Sequence, residues 1–324
     1  MVIVQTKSAG SLVQKICFNI LSKSLKVSPR NQATREVFPA FLGLTDPSSR
    51  LFIDKVRAIN IFEMIGRFAW EFSGNDSLEA IQYYSSSAFR FANEKGIVPS
   101  AYGKRLFTGI STIHHAIGNL KLDPDSRRAF VLILNPDDSM DTTFEFPCIS
   151  GLHFLIREGK LHMITYARSE SCYRILPFDI FLFTMIQEYV AVNLNLPMGM
   201  YHHFCGSAHF YEHEESKVID FVSQKIQPIT MRPVFEGDDL LLLKDFFEME
   251  RRFRIDTQFV EQNLADLEAI QDCELGQFAI ILAIYAHHKH SKPDYRHLVE
   301  MLEPHYKILV NQRLEAMNDV QQSK

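Results

Sequence analysis

Five cysteines stand at positions 17, 148, 172, 205 and 273. A thiolate is the strongest nucleophile that side chains offer near neutral pH. The count is odd and no Cys-x-x-Cys pair occurs, so a disulfide framework is not indicated and a reducing compartment is expected. By residue type alone each cysteine reads as a buried structural residue. Two further pairs, Arg127-Arg128 and Arg168-Ser169, could hold an anion, because planar guanidinium forks match a phosphate dianion. As lone surface arginines they would contribute little. The string His202-His203-x-Cys205-x-x-x-His209-x-x-x-His213 carries metal-ligating types, and the run His287-His288-Lys289-His290 reads as a solvated helix end.

The elements that must position these residues follow from periodicity. Residues 1–27 read as a helical lead-in, followed by the turn-rich loop Ser28-Pro29-Arg30-Asn31-Gln32. From Ile53 to Phe72 apolar residues recur at helical spacing, and Gly74-Asn75-Asp76-Ser77 ends the run, with Ser77 able to cap a following helix. Leu106–Leu120 predicts another helix, closed by Asp123-Pro124-Asp125-Ser126. Then the texture becomes β-rich: Ala129–Leu134, Leu152–Arg157 and Leu161–Ala167, the last two joined by Glu158-Gly159-Lys160 as a hairpin. Phe178–Val192 is apolar on all sides and predicts a buried helix. Residues 240–324 return to helical spacing, with a boundary near Gly237-Asp238. Periodicity alone therefore predicts an α+β protein.

The chain has 324 residues, 46% hydrophobic and 23% charged, with 26 Phe and one Trp. That length suits one or two domains with a real core, and that composition speaks against disorder. A net charge of −5 argues against a broad grip on nucleic acid. It leaves room for one small phosphate held by a few arginines. The longest apolar stretches, such as Phe278–Ala286, fall well short of the ~20 residues of a membrane span. The N-terminal stretch lacks a signal-peptide core, and a cytoplasmic protein is expected.

Three blocks taken together resemble thymidylate synthase and its pyrimidine-hydroxymethylating relatives. The first is Asp123-Pro124-Asp125-Ser126-Arg127-Arg128, followed by an apolar strand and Asn135-Pro136. The second is Phe146-Pro147-Cys148, then a hairpin and Arg168-Ser169. The third is Leu176-Pro177-Phe178-Asp179-Ile180, then Gly206-Ser207-Ala208-His209-Phe210-Tyr211. Ala101-Tyr102-Gly103-Lys104 matches the family's tyrosine-glycine block. Each block alone is weak; their order and spacing are specific. The resemblance covers roughly residues 28–235, within a catalytic domain expected over 28–239, and it implies an α/β layered, thymidylate synthase-like fold on a large mixed sheet. It also implies a homodimer that packs sheet to sheet.

The resemblance assigns roles residue by residue. Cys148 would be the nucleophile that adds to carbon 6 of a pyrimidine, turning carbon 5 into an enamine-like carbon nucleophile. Arg127, Arg128, Arg168 and Ser169 would clamp the nucleotide's phosphate, the first two reaching into the partner's site. Arg30, or else Arg35, would supply the remaining phosphate arginine. His209 and Tyr211 would hydrogen-bond the sugar hydroxyl, and Tyr102 would join a proton relay; otherwise these are core residues. Using His209 in this way leaves no need for a metal. The family glutamate that falls three residues before a tryptophan is Arg67 here, counted from Trp70 and Gly74. Glu63 and Glu71 lie one helical turn on either side of it, and the relay is assigned to them jointly. His153 stands where the family usually has glutamine.

Asp179 resembles the cytidylate hydroxymethylases, since thymidylate synthases carry asparagine there. A carboxyl group can donate to or protonate the ring nitrogen of cytosine and accept from its amino group. Facing uracil, an ionised carboxylate would meet and repel the oxygen at position 4. The alternative is a helix-capping aspartate. The expected activity is transfer of a one-carbon unit from 5,10-methylenetetrahydrofolate to carbon 5 of dCMP or CMP, completed by water. The clamp leans the sugar assignment toward dCMP. No family-like closing tail is found at the C-terminus, which favours water over hydride as the final reactant. The alternatives are dUMP methylation, or a catalytically silent nucleotide-binding homologue.

Overall fold

The computed structural model describes residues 1–139, 146–235, 239–256, 258–290 and 295–322. The first third of the chain runs β1 (Val2–Thr6), α1 (Ala9–Lys23), β2 (Leu25–Val27), β3 (Thr34–Val37), β4 (Ala40–Leu44) and β5 (Leu51–Ile53). It continues through α2 (Ile61–Phe72), α3 (Leu78–Gln82), α4 (Tyr102–Phe107) and α5 (Thr112–Leu122). The middle holds β6 (Phe130–Leu132), β7 (Ile149–Arg157), β8 (Lys160–Ser171), α6 (Leu176–Asn193) and β9 (Met198–Tyr211). After α7 (Glu215–Ser223) and β10 (Gln227–Ile229) come six helices. These are α8 (Asp239–Ile255), α9 (Phe259–Gln262), α10 (Leu264–Ile270), α11 (Glu274–Lys289), α12 (Arg296–Glu300) and α13 (Pro304–Gln322).

Two compact units divide these elements, one comprising 1–57 with 105–231 and the other 58–104 with 232–324. That partition is not the linear one expected from composition (1–27, 28–239, 240–324). Residues 58–104 join the C-terminal helices, and the boundary expected near Gly237-Asp238 lies outside the described residues.

The first unit is built on an eight-stranded mixed sheet in the order β1-β4-β9-β8-β7-β6, with β3 paired to β9 and β2 to β3. β1–β4 and β8–β9 are parallel and the other pairs antiparallel. The large mixed sheet expected from the resemblance is present. The N-terminal 27 residues are more than a helical lead-in. Val2–Thr6 is a β-prone run that pairs with Ala40–Leu44, and Ser8 then caps α1 by accepting from the Ser11 amide.

β7 and β8 form the expected hairpin, with Glu158 and Gly159 both at positive φ (52° and 69°), as a tight two-residue turn requires. α6 is buried on all sides of its length and packs on β8 and β9, with α1 beside it. At its centre the Arg50 guanidinium, fully buried, pairs with Glu188 and donates to the Met185 sulfur.

The long helix predicted from Ile53 starts only at Ile61. Asp54 accepts from the Val56 and Arg57 amides, and Ala58 takes a positive φ of 51°, so a local turn competes with the helix until Asn60 caps it. The helix predicted over Leu106–Leu120 is two helices, α4 and α5, separated at Gly109 (φ 61°).

In the second unit α11 is buried along nearly its whole length and packs against α2, α8, α10 and α12. Phe68 of α2 lies among Phe72, Phe235, Phe246 and Phe278, with ring centroids 4.7–6.3 Å away, which accounts for part of the phenylalanine excess. Trp70 closes a smaller cluster with Ala80, Ile81, Ala88, Val98 and Ala101, its indole N–H donating to the Ser77 carbonyl at 3.1 Å. Among the described residues no helix is long and apolar enough to cross a membrane.

Candidate active site

Cys148 sits on the bend that leads into β7 and is half-buried. Arg168, across the ladder on β8, holds that bend. Its backbone N–H donates to the Cys148 carbonyl (2.9 Å), Nε to the Pro147 carbonyl (3.1 Å) and Nη2 to the Phe146 carbonyl (2.7 Å). The Phe146 ring lies 5.3 Å beneath the guanidinium. Arg168 Nη1 also donates to Ser169 Oγ (3.1 Å), which lies 4.0 Å from Cys148 Sγ. Arg168 thus positions the thiol as well as presenting charge, a role the sequence did not reveal.

Burial pushes the Cys148 thiol above its ordinary pKa. Arg168 pulls it down, while Glu170 and Asp179 push it up. At neutral pH the free protein therefore holds Cys148 as the thiol. Alkylation of Cys148 by iodoacetamide, followed by peptide mass spectrometry, should accelerate about tenfold per pH unit from pH 7 past pH 9. A plateau below pH 8 would contradict this placement of charges.

Asp179 is 2% exposed and lies within the first turns of α6, its amide donating to the Ile175 carbonyl at 3.1 Å. The N-cap is Ile175, so Asp179 is inside the helix and does not cap it. Its charge acts on Cys148, on Tyr201 and on His203, which places the carboxyl in the same neighbourhood as the thiol.

β9 supplies the next part of the surface. Along it Tyr201, His203 and Cys205 are buried; after Gly206 the phase changes and Ala208 and Phe210 are buried instead. At that change a Cβ on Gly206 would stand 2.7 Å from the Arg168 carbonyl oxygen, so the two strands approach closely there. Ser207, His209 and Tyr211 consequently fall on the half-exposed set. Ser207 pairs in register with Ser169, and His209 with Ser171. The His209 and Tyr211 rings meet edge to face at 5.6 Å, and Arg174 covers Tyr211 at 5.3 Å. Burial lowers the His209 pKa, leaving a neutral imidazole suited to a hydroxyl partner. Across β3, Glu36 pairs in register with His209 and accepts the Ser207 hydroxyl.

The other expected residues are distributed more widely. Arg30 is exposed in the loop before β3, at a positive φ of 50°, four residues from Thr34, which pairs with Tyr211. Arg35 is committed to Glu215 at 3.0 Å. Arg127 and Arg128 are exposed at the entry to β6. There His153 binds the Arg127 carbonyl (3.1 Å) and the Phe154 amide the Ala129 carbonyl. Phe154 is six residues beyond Cys148 on β7, so these arginines lie about 20 Å along the strand from the thiol, apart from the cluster.

In the second unit, Glu63 exchanges hydrogen bonds with Asn60 at the start of α2 (3.1 and 3.3 Å), a capping arrangement. Glu71 is 3% exposed and accepts the Gly103 amide, next to Tyr102. A Cβ on Gly103 would overlap the Glu71 backbone, so only glycine lets these segments meet. Of the two glutamates, Glu71 is the one joined to the tyrosine-glycine block.

The His/Cys string does not converge. His202 stacks on Phe41 (5.3 Å), His203 lies between Tyr201 (2.8 Å) and Glu170 (3.2 Å), and His213 stacks on Tyr211 (5.5 Å). Burial holds His203 neutral, with its pKa down to about 4. Among the described residues no group of three or more His, Cys, Asp or Glu side chains could hold a metal ion.

The mixed sheet thus brings together a cysteine, an arginine-serine pair and a histidine-tyrosine pair. Residues 14–241 match the thymidylate synthase family model, and the chain belongs to that family. It is 25% identical over 260 residues to the deoxyuridylate hydroxymethyltransferase of Bacillus phage SP01, covering 74% of this chain and 67% of that one. It is 29% identical over 181 residues to the thymidylate synthase of Mycoplasma pneumoniae, covering 55% and 62%. The chain spans about two thirds of the length of these relatives. Thermostable thymidylate synthase A from Bacillus subtilis shares the fold, with a TM-score of 0.59 at 18% identity over 67% of this chain and 85% of that one.

Proposed function

We propose that this chain is a pyrimidine-nucleotide 5-hydroxymethyltransferase acting on a cytosine nucleotide, dCMP or CMP, with 5,10-methylenetetrahydrofolate as co-substrate. The observation that carries the reading is a buried carboxyl, Asp179, near the start of α6, the helix that packs on the strands β8 and β9 carrying Arg168, Ser169 and His209. The folate supplies a one-carbon unit at the oxidation level of formaldehyde.

Cys148 Sγ adds to carbon 6 of the base, its proton leaving as the thiolate forms. Asp179 holds the ring nitrogen and amino group, so that the electron pair released into the ring is localised on carbon 5. Carbon 5 bonds to the one-carbon unit and loses its proton to a base. The bond from that unit to the folate nitrogen breaks, so that tetrahydrofolate leaves and an exocyclic methylene remains on the ring. Of the residues assigned to the relay, Tyr102 and Glu71 belong together in the second unit and Glu63 is occupied in capping. Water then adds to the exocyclic carbon and Cys148 departs, regenerating the thiol and an aromatic 5-hydroxymethyl base. His209 and Tyr211 hold the sugar, and Arg168, Ser169 and Arg30 the phosphate.

Arg127 and Arg128, remote from Cys148 in their own chain, are proposed to serve a partner subunit in a cytoplasmic homodimer. A half-exposed aromatic strip on the sheet supports that interface: Phe41 with His202, Phe204 with Tyr166, and Phe130 with Tyr166 and His153.

Turnover of CMP, dCMP, UMP and dUMP with the folate, with product masses, tests the reading. A hydroxymethylated cytosine nucleotide is expected. Thymidylate and dihydrofolate from dUMP alone would replace it with the synthase reaction, and no product from any substrate would leave a silent nucleotide-binding homologue.

A further inference from the structure

The Glu36 carboxylate belongs to the same face as the thiol. Cys148 Sγ lies 4.0 Å from Ser169 Oγ, Ser169 is the cross-strand partner of Ser207, and Ser207 donates its hydroxyl to Glu36. Strand spacing makes this path from sulfur to carboxylate at most about 12 Å long, and shorter if it bends. A pyrimidine joined to sulfur at carbon 6 carries its ribose O2′ about 6 Å from that sulfur, which leaves at most about 6 Å to the carboxylate on a straight path and a hydrogen bond's reach on a bent one. Glu36 is also the register partner of His209, so the two side chains flank the same spot from neighbouring strands.

Ser207 spends its single proton on Glu36, and an ionised carboxylate is an acceptor only, with capacity for several donors. A deoxyribose offers it none at carbon 2′. A ribose offers the 2′-hydroxyl as a donor to Glu36, while the 3′-hydroxyl remains for His209 and Tyr211. We propose that Glu36, oriented by Ser207, is the sugar-specificity residue of this site and selects ribonucleotides, so that the substrate is CMP rather than dCMP. This rests on the proposed placement of the nucleotide and reverses the lean toward deoxyribose that the phosphate clamp suggests.

The test separates the sugar from the base. Binding by calorimetry and kcat/KM are measured for CMP, dCMP, UMP and dUMP with the wild-type chain, Glu36→Ala and Glu36→Gln. Within each base the wild-type chain should favour the ribonucleotide about 10- to 100-fold, the range of one charge-assisted hydrogen bond. Glu36→Ala should bring that ratio close to one through a higher KM for ribonucleotides, leaving the deoxyribonucleotides nearly unchanged. Glu36→Gln keeps an acceptor for Ser207 and so guards against loss of folding; it should give an intermediate ratio. A wild-type ratio at or below one, or a ratio unmoved in both variants, overturns the inference. The base preference, read from CMP against UMP, tests the proposed function independently. A chain that binds no nucleotide sinks both.

Discussion

Cys148→Ala should lose at least four orders of magnitude in product formation while folding normally. Removing a nucleophile that forms the covalent intermediate eliminates the pathway and leaves only binding and positioning. The side chain is half-buried on a bend whose shape is kept by Arg168 through the carbonyls of Phe146, Pro147 and Cys148, and these bonds do not involve the thiol. Its melting temperature should therefore stay within a degree or two of wild type. A 5-fluorinated cytosine nucleotide with the folate gives a sharper measurement, because fluorine cannot leave carbon 5 as a proton does. The complex stalls as a covalent adduct, visible as added mass on the intact chain. An adduct that persists in Cys148→Ala would remove this residue from the nucleophile's role.

The second large effect is expected at Asp179. Asp179→Asn preserves shape and replaces the carboxyl by an amide, which has lost the negative oxygen that repels uracil's position 4 and can donate there. The ratio of kcat/KM for cytosine over uracil nucleotides should fall by about a hundredfold or more, the scale at which hydrogen-bonding sites discriminate between partners. The buried position makes the readout clean. Asp179 is 2% exposed and asparagine matches it in size and shape, so the variant should fold. An unchanged ratio in a well-folded variant would show that another group reads the base.

Much of this site was legible in the sequence because its chemistry is carried by short contiguous blocks. Cys148, Arg168-Ser169, Asp179 and the Ser207–Tyr211 segment lie on the bend before β7, on β8, on α6 and on β9 of one unit. The hairpin at Glu158-Gly159 and the α6 helix, apolar nearly all round, were visible for equally local reasons. β9 was not identified as a strand over its 14 residues. Its buried positions change phase after Gly206, which destroys the simple alternation by which a strand is recognised. Glu36 was missed for a different reason: nothing in Thr34–Val37 signals that its partner is His209, far along the chain. The association of 58–104 with 232–324 is likewise non-local and leaves no periodic signal. Helical spacing made Glu63 and Glu71 equivalent. Burial and the Gly103 amide distinguish them, and both are tertiary properties.

Trp70, the chain's only tryptophan, has an experimental use of its own. Its indole is 6% exposed within the cluster formed by Ala80, Ile81, Ala88, Val98 and Ala101, wholly inside the unit of residues 58–104 and 232–324. Selectively excited emission is therefore an optical signal from one unit alone, while the thiol at position 148 is a chemical probe seated in the other. Recorded together across a denaturant series, fluorescence and alkylation read by peptide mass spectrometry at Cys148, apart from Cys273 of the helical unit, would separate the unfolding of the helical unit from that of the sheet.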